Sequence, residues 1–271
     1  MSEEEGQASR VLIIAGSDSS GGAGIQADIK TVAALGGYAM TAVTALTVQN
    51  TTGVFDVVPA PVKAVIAQAT ACLSDIGADA IKTGMLGSRP LIEAISELLS
   101  EQGADRPRIV DPVMVATSGN RLLDLGAVDV LQSLLVPGAT LVTPNAPEAE
   151  ILTGKSVETV DGQRRAAEAL LERGAEAALV KGGHIAADPI TDVLQTQSGE
   201  WLLEMPRIAT DNTHGTGCTL ASAIATEMAF GRALPQAVEA AQHYLAGAIK
   251  ASGGWGSGPG PVNHAWRVKR Y

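Results

Sequence analysis

Short apolar runs alternate along the chain with longer stretches in which apolar residues recur at helical spacing. Five runs have the composition of buried parallel strands, at residues 11–15, 79–83, 108–111, 139–143 and 177–181. The helical stretches include residues 61–73, 91–99, 161–173 and 234–249. This alternation predicts an α/β protein with a twisted, mostly parallel central sheet and helices on both faces, which makes three layers.

Four further apolar runs extend the predicted sheet, at residues 40–48, 54–58, 191–196 and 201–205. Residues 197–200 join the last two as a hairpin, so the sheet is predicted to be mixed at one edge. No linker, composition break or repeat divides the chain, which predicts a flexible acidic tail over residues 1–10 and a single domain over residues 11–271. The glycine-rich residues 253–261 form either a flexible linker or the start of a docked segment.

The polar segment 212–219, just before an apolar run, has the composition of a phosphate-binding loop. Gly215 and Gly217, on either side of Thr216, free the backbone to direct its N–H groups at one point, and a following helix adds unpaired donors and its dipole. Cys218 is predicted to lie in the first turn of that helix, where the dipole lowers the pKa of a thiol. The alternative is an ordinary loop into a core helix, with Cys218 as a small buried residue.

Charge and composition narrow the possible ligands. With 29 acidic and 19 basic residues, the net charge of -10 opposes nucleic-acid binding, and 3% aromatic content leaves little for base stacking. No apolar run approaches the ~20 residues that span a bilayer, so we expect no membrane partner and a cytoplasmic location. Two cysteines and scattered histidines argue against a disulfide framework and structural zinc. A polyphosphate would have to be bound by backbone donors, a divalent metal and a few cations.

Polar residues follow several predicted strands, where ligands bind in open α/β sheets. Residues 16–24 form a glycine-lined wall after the first strand, with Asp28 on the helix behind it. Residues 22–27 match the dinucleotide fingerprint in form, but the turn before them is too long and the second strand ends without a carboxylate for a ribose. A dinucleotide-dependent oxidoreductase is therefore disfavoured, and no Gly-Lys-Ser/Thr completes a Walker loop.

Hard oxygen ligands and a cation follow three other strands. Asp111 ends one strand, and Asn145 and Glu148 follow the next, in positions that suit Mg²⁺ held largely through water. Alternatively, Asn145 and Glu148 form a capping box at a helix start, which the local sequence favours. Lys181, beside two glycines, suits a phosphate, and its alternative is a surface lysine in an ordinary loop.

Taken together, these motifs resemble the hydroxymethylpyrimidine and hydroxymethylpyrimidine-phosphate kinases of thiamine biosynthesis, which belong to the ribokinase-like superfamily. The resemblance spans nearly the whole chain. Its motifs are residues 15–18, 21–28, 47–51, 82–86, 111–114, 143–149, 180–184 and 212–219. Motifs of this length in this order are specific to the family.

The resemblance implies a ribokinase-like fold, an ATP-dependent reaction and a homodimer. It implies a substrate pocket of Gly16, Asp28, Gln49, Met85 and Val113, in which Gln49 contacts the aminopyrimidine edge. The other implied groups are a metal site of Asn145, Glu148 and Asp111, ATP contacts at Lys181, Thr213 and His214, and a catalytic group of Gly215, Thr216, Gly217 and Cys218. Cys218 stands where most of the superfamily has an aspartate base.

Four positions depart from the common pattern of the family. Ser19 replaces a common proline, Ala209 a common aspartate, and Asp211 and Thr117 common lysines. Asp211 places a carboxylate beside the predicted phosphate loop, which weakens the case for a cationic clamp there. Two other functions remain open: a pyridoxal or pyridoxine kinase, whose substrate is also a flat heterocycle with a hydroxymethyl group, and a non-catalytic ligand-binding protein that retains the pocket.

Overall fold

The computed structural model describes residues 9–116 and 119–268. Within them, the strands are β1 (Arg10–Asp18), β2 (Tyr38–Asn50), β3 (Gly53–Pro59), β4 (Ala80–Thr83), β5 (Arg108–Val110), β6 (Leu141–Val142), β7 (Ala177–Val180), β8 (Ile190–Thr196) and β9 (Gly199–Met205). The helices are α1 (Gly24–Ala34), α2 (Val62–Asp75), α3 (Arg89–Gln102), α4 (Val128–Val130), α5 (Ala146–Thr153), α6 (Val160–Glu172), α7 (Thr216–Ala229) and α8 (Leu234–Lys250). None of these helices is long and apolar enough to cross a membrane.

The strands form one sheet in the order β3-β2-β1-β4-β5-β6-β7-β8-β9. The inner pairs from β2 through β7 are parallel, and β3, β8 and β9 join in antiparallel fashion. The predicted α/β sandwich with a mostly parallel sheet is therefore confirmed. The prediction of a mixed sheet at one edge was incomplete, because β3 is a second antiparallel edge.

Side chains alternate between the two faces of β1 and show how the sheet is buried. Leu12 and Ile14 belong to the apolar cluster that includes α2, α3, α5 and α6. Val11 and Ile13 belong to the cluster that includes α1, α7 and α8. All four side chains are fully buried, because a central parallel strand has helices on both sides.

Two boundaries of β1 differ from the sequence prediction. Arg10, assigned to the flexible tail, already belongs to β1 and pairs with Asp79, and Ser9 is buried, so the tail of residues 1–10 was drawn too long. At the other end, β1 continues past Ala15 to Asp18, because the strand pairs with β2 again after a register shift between Ala15 and Ser17. This continuation carries Asp18 to the edge of the sheet where ligands bind.

The segment after the glycine-rich stretch is docked, which settles the alternative that the sequence left open. Pro261 pairs with His214, and Val262 and His264 are buried. The Tyr244 hydroxyl donates to the His264 carbonyl at 2.5 Å, and the indole N–H of Trp266 donates to the Tyr244 carbonyl at 3.1 Å. These contacts attach residues 261–266 to α8 and to the predicted phosphate loop.

Because Trp266 packs against α8, replacing a glycine of this helix by alanine is predicted to destabilise the protein instead of stabilising it. A Cβ at Gly247 would collide with the Trp266 ring. Alanine in place of a helix glycine normally stabilises by about 1 kcal/mol, but we expect Gly247→Ala to destabilise by about 1–3 kcal/mol because the ring must move. Urea unfolding measures the difference. The exposed His243→Ala on the same helix is the control, with a change within about 0.5 kcal/mol. A stabilised Gly247→Ala variant would show that Trp266 does not pack on α8.

Candidate active site

A cavity of about 830 Å³ opens at the carboxyl ends of the parallel strands. Its lining includes every predicted site residue except Asp28: Gly16, Gln49, Met85, Asp111, Val113, Asn145, Glu148, Lys181, Thr213, His214, Gly215, Thr216, Gly217 and Cys218. Residues from distant parts of the sequence meet here because parallel strands end at one edge of the sheet.

The start of α7 forms the predicted anion site. Its cap residue, Gly215, has φ +85°, and a Cβ at this position would collide with the Gly22 carbonyl, so two separate conditions require glycine here. No side chain caps the helix, and no acceptor among the described residues pairs with the N–H groups of Gly217 and Cys218. These donors and the helix dipole favour a bound anion.

The carboxylate of Asp18 connects this helix start to the glycine-lined wall. It accepts from the N–H groups of Gly22 at 3.0 Å and Ala23 at 2.8 Å, and from His214 Nε2 at 2.8 Å. Burial opposes the charge, but the hydrogen bonds from His214, Ser20 and the backbone lower the pKa of Asp18 to about 2. Asp18 lies in a family motif, but no separate role was predicted for it from the sequence.

The partner of His214 changes one prediction. His214 was assigned to ATP, but its side chain is 6% exposed and its Nε2 is engaged by Asp18. His214 therefore holds the loop in place, and Nε2 is not free to bind a phosphate. Thr213, next to it, is exposed and lines the cavity, so its position remains compatible with a nucleotide contact.

Lys181 lies beside the anion site, in contact with acidic groups. Its Nζ is 3.4 Å from Asp111 Oδ1, and a Cβ at Gly217 would lie 3.4 Å from Nζ. Burial alone would lower the pKa of Lys181, but the charges of Asp111, Glu148 and Asp192 outweigh it and raise the pKa. The ammonium group is therefore charged and faces the same space as the free N–H groups of α7.

Asn145 and Glu148 form the capping box that the local sequence favoured. Asn145 Oδ1 accepts from the Glu148 N–H, and Glu148 Oε2 accepts from the Asn145 N–H, both at 2.9 Å. Burial, together with the nearby charge of Asp111, raises the pKa of Glu148 to about 7, although Lys181 opposes the shift. The cap fixes the Glu148 carboxylate at the cavity wall, so the two roles are compatible.

The donor set at this wall fits Mg²⁺ held mainly by water and phosphate. Asp111 Oδ2 is buried and has no hydrogen-bond partner among the described residues, and a Cβ at Gly217 would lie 3.9 Å from it. Within residues 9–116 and 119–268, no group of three or more acidic, histidine or cysteine side chains could enclose a metal. Mg²⁺ commonly uses one or two carboxylates and fills its remaining positions with water and substrate phosphates. Asp111 and Glu148 are suited to that arrangement.

Cys218 occupies the first turn of α7, as predicted, but its expected acidity is wrong. Burial and the charges of Asp28 and Asp111 raise the pKa of the thiol to about 12, even though Lys82 opposes the shift. The helix dipole, on which the sequence prediction relied, is outweighed by burial and, after it, by the charges of two neighbouring carboxylates. Cys218 is therefore a neutral thiol at physiological pH.

Opposite the anion site, β1, β2 and β4 form a compact wall. A Cβ at Gly16 would lie 3.0 Å from Met85 Sδ, and Thr44 Oγ1 donates to the Met85 carbonyl at 2.7 Å. Thr47 Oγ1 lies 3.0 Å from both Gln49 Oε1 and the Ser17 carbonyl, so its single proton is shared between them and the contact orients the carboxamide. No acceptor among the described residues takes up Gln49 Nε2, so this group is available to a ligand.

Ser19, one of the departures from the family pattern, has a definite role at this wall. Its hydroxyl donates to the Gln49 carbonyl at 2.8 Å and accepts from the Gln49 N–H at 2.9 Å. A proline side chain could make neither bond. The serine thus fixes the backbone of Gln49 directly.

The other departures have smaller consequences. Ala209 lines the cavity without a charge, whereas Asp211 is exposed and is not part of the lining. Asp211 therefore does not place its carboxylate in the cavity beside the phosphate loop. Thr117, in the predicted flap, lies outside the described residues.

Asp28 does not line the cavity, contrary to prediction. Both of its carboxylate oxygens lie 3.0 Å from Lys82 Nζ, and Ser222 Oγ donates to it at 2.7 Å. Asp28 is fully buried, so it cannot contact a ligand in this structure. Lys82, which belongs to a quoted motif but was given no role, borders the cavity from behind its surface, because its side chain is fully buried as well.

A second part of the cavity, beyond Lys181, was not predicted. It is lined mainly by apolar side chains: Ile190, Met205, Pro206, Ile208, Leu245, Ala246 and Ile249. These residues come from the β8–β9 hairpin, the loop after it and α8. They form no contiguous motif, so only the three-dimensional structure brings them together.

Comparisons with known proteins agree with this geometry. The profile of the family described as phosphomethylpyrimidine kinase matches residues 18–263. The chain is 49% identical over 258 residues to the hydroxymethylpyrimidine/phosphomethylpyrimidine kinase of Streptomyces coelicolor, covering 95% of each chain. It is 45% identical over 256 residues to the protein of the same name from Bacillus subtilis, covering 94% of each chain.

Solved structures show the same fold. An ADP complex of Bacillus subtilis pyridoxal kinase has a TM-score of 0.90 and 36% identity, covering 97% of this chain and 100% of that one. Phosphomethylpyrimidine kinase from Clostridium difficile has a TM-score of 0.80 and 40% identity, covering 89% and 99%. Backbone shape is thus closer to the pyridoxal kinase, while sequence identity is higher to the pyrimidine kinases. With the family profile matching most of the chain, this chain belongs to the hydroxymethylpyrimidine/phosphomethylpyrimidine kinases, within the ribokinase-like fold.

Proposed function

We propose that this chain transfers the γ-phosphoryl group of ATP to 4-amino-5-hydroxymethyl-2-methylpyrimidine and to its monophosphate. One observation carries the proposal: a single cavity holds the oriented amide of Gln49, the free N–H groups of α7 and the ammonium of Lys181. The first group suits an aminopyrimidine, and the other two suit a triphosphate.

The carboxamide of Gln49 supports a pyrimidine over a pyridine. An aminopyrimidine edge offers a ring nitrogen that accepts and an amino group that donates, and the free Nε2 and the remaining acceptor capacity of Oε1 complement both. Pyridoxal lacks the exocyclic amine. Pyridoxal kinase remains the second candidate, because the structural match to that enzyme has a TM-score of 0.90.

On the nucleotide side, each group has a role in phosphoryl transfer. The N–H groups of Gly217 and Cys218 stabilise charge on the transferring phosphoryl oxygens, and Lys181 holds the phosphate chain from the side. The apolar wall at Met205 and Leu245 shields the base of the nucleotide from water. A Mg²⁺ ion held by Asp111 and Glu148 would supply further neutralisation of the triphosphate charge.

As a neutral thiol, Cys218 acts by position. It lies at the point where the helix N-terminus meets the substrate wall, so its Sγ contacts the acceptor hydroxymethyl group and keeps it in line with the γ-phosphorus. A loose transition state needs little early deprotonation of the alcohol, so a strong base is not required.

We further propose that the chain works in the cytoplasm as a homodimer joined through β2 and β3. The outer face of this pair exposes Leu46 by 58%, Val48 by 52%, Phe55 by 65% and Val58 by 51%. Leu46 and Val58 are direct cross-strand partners, so these two exposed apolar side chains adjoin each other. A patch of this type is typical of a protein–protein interface.

The first prediction of the proposal concerns substrates and Lys181. With ATP and Mg²⁺, product analysis should show phosphorylation of hydroxymethylpyrimidine and its monophosphate, and a kcat/KM for pyridoxal at least about tenfold lower. Lys181→Met should lower kcat/KM by about 10²–10³, because the phosphate chain loses its cation. The exposed Lys155→Met serves as control and should keep full activity. If the protein phosphorylates pyridoxal but neither pyrimidine, the proposed substrate is wrong.

The second prediction concerns the acidity of Cys218. In a Cys72→Ser background, iodoacetamide should alkylate Cys218 at pH 7.5 at least about 100-fold more slowly than free cysteine, because the thiolate is scarce. The rate should still be rising at pH 10, below the pKa of about 12.

A positional role for Cys218 also predicts how kcat changes when the thiol is removed. Cys218→Ala should lower kcat by a similar factor with the alcohol and with the phosphate acceptor. Loss confined to the alcohol reaction would instead indicate that Cys218 acts as a base.

The third prediction concerns the dimer. Phe55→Asp should convert the protein to monomers in light scattering coupled to size exclusion, because a charge in the apolar patch must be desolvated on association. Leu202→Asp, at the opposite edge of the sheet, is a matched control and should leave the mass unchanged. A wild-type monomer would refute the dimer without affecting the proposed activity.

A further inference from the structure

A fully buried ion pair lies behind the acceptor end of the cavity. Lys82, at the end of β4, places Nζ 3.0 Å from each oxygen of Asp28 on α1, and both side chains are 0% exposed. Ser222 on α7 donates to Asp28 Oδ1 at 2.7 Å. Because Ser222 follows Cys218 by four residues, one helical turn, the same face of α7 carries both.

The ion pair is not explained by stability. Replacing a buried ion pair by apolar side chains of similar volume is often neutral or stabilising, because two charges no longer have to be desolvated. The surrounding clusters are rich in valine, leucine and isoleucine, so apolar residues would fit the local composition. Since stability does not explain a buried ion pair in these surroundings, we look for its role in the reaction.

The geometry directs the charge of Lys82 toward the acceptor site. An ammonium group has three donors, and Asp28 accepts two bonds from it, which leaves one N–H available. Nζ would lie 3.1 Å from a Cβ at Gly84, which precedes Met85 of the substrate wall. Burial alone would lower the pKa of Lys82, but the charges of Asp28 and Asp111 raise it, so Lys82 stays protonated.

Other cations in the described lining are committed elsewhere. Lys181 pairs with Asp111 on the phosphate side, and Arg207 donates to the carbonyls of Gly183, Ile185 and Ala187. Lys82 is thus placed to act on the acceptor oxygen, where Cys218 is neutral.

We propose that Lys82, held by Asp28 and Ser222, is a positioning residue whose charge stabilises negative character on the acceptor oxygen from behind the cavity wall. This inference rests on the proposed kinase function. In the reaction, a bond forms between the hydroxymethyl oxygen and the γ-phosphorus, and the bond from that phosphorus to ADP breaks with its electron pair leaving on ADP. The hydroxyl proton passes to an oxygen of the transferred phosphoryl group. Deprotonation is late in a loose transition state, so the oxygen gains negative character only as the proton leaves, and Lys82 lowers the energy of that stage of the step.

The test removes the charge pair without leaving a buried unpaired charge. The double variant Lys82→Met/Asp28→Asn keeps side-chain volume and the hydrogen bond from Ser222. We expect kcat with hydroxymethylpyrimidine to fall about 100-fold, with KM changed by less than about threefold. With the monophosphate as acceptor, which is already an anion, the fall in kcat should be at least about tenfold smaller.

A second ion pair provides the matched control. Arg10 and Asp79, 2.6 Å apart, join the amino-terminal ends of β1 and β4. The cavity lies at the carboxyl ends of the strands, and neither residue is part of its lining. Arg10→Met/Asp79→Asn should leave both kcat values within about twofold of wild type.

Each outcome decides between the alternatives. If the Lys82/Asp28 double variant melts like wild type and keeps its kcat with the alcohol, the ion pair is structural and the inference is wrong. If the double variant does not fold, Ser222→Ala replaces it: a three- to tenfold loss of kcat, at constant KM and only with the alcohol, supports the inference, and an unchanged kcat overturns it. Absence of hydroxymethylpyrimidine phosphorylation by the wild-type protein would instead refute the proposed function itself.

Discussion

The hydrogen bonds that converge on the Asp18 carboxylate are the constraint on which the site depends. They fold the glycine-rich turn after β1 back on itself and attach it to His214, directly before α7. The substrate wall and the anion site are thereby fixed relative to each other, although they lie almost 200 residues apart in sequence, the separation of Asp18 and His214 being 196. Without this link, each half would be present but the distance between acceptor and phosphate would not be defined.

Electrostatics shape the rest of the cavity. An acidic chain that binds a triphosphate has to keep its own carboxylates from repelling the ligand. Four carboxylates in or behind the cavity wall are held in different ways. Asp18 is saturated by donors, Asp28 is neutralised by Lys82, and Glu148 is partly held by a helix cap. Among the described carboxylates, Asp111 alone keeps a buried oxygen without a hydrogen-bond partner, which is why it suits a metal-bound nucleotide.

Much of the fold and most of the site could be predicted from sequence, because hydrophobic periodicity and strand-end motifs are local signals. The capping box at Asn145 and the start of α7 near Cys218 are examples. The failures share a cause. The environments of Asp28, His214 and Cys218 are set by partners from other elements, and so are their charge states. The apolar wall at Met205 and Leu245 likewise comes from separate elements that no motif connects.

The pairing of His214 with Pro261 has a consequence for synthesis of the protein on the ribosome. The groups assigned to the acceptor, the phosphates and the metal all precede residue 219, so they emerge before the segment that supports the phosphate loop. The His214 N–H bonds to the Gly260 carbonyl, and this bond can form only once Gly260 has left the exit tunnel. A nascent chain that ends before this point therefore carries most of its catalytic groups in an unfinished geometry, and its competence to bind nucleotide is deferred until Gly260 has emerged.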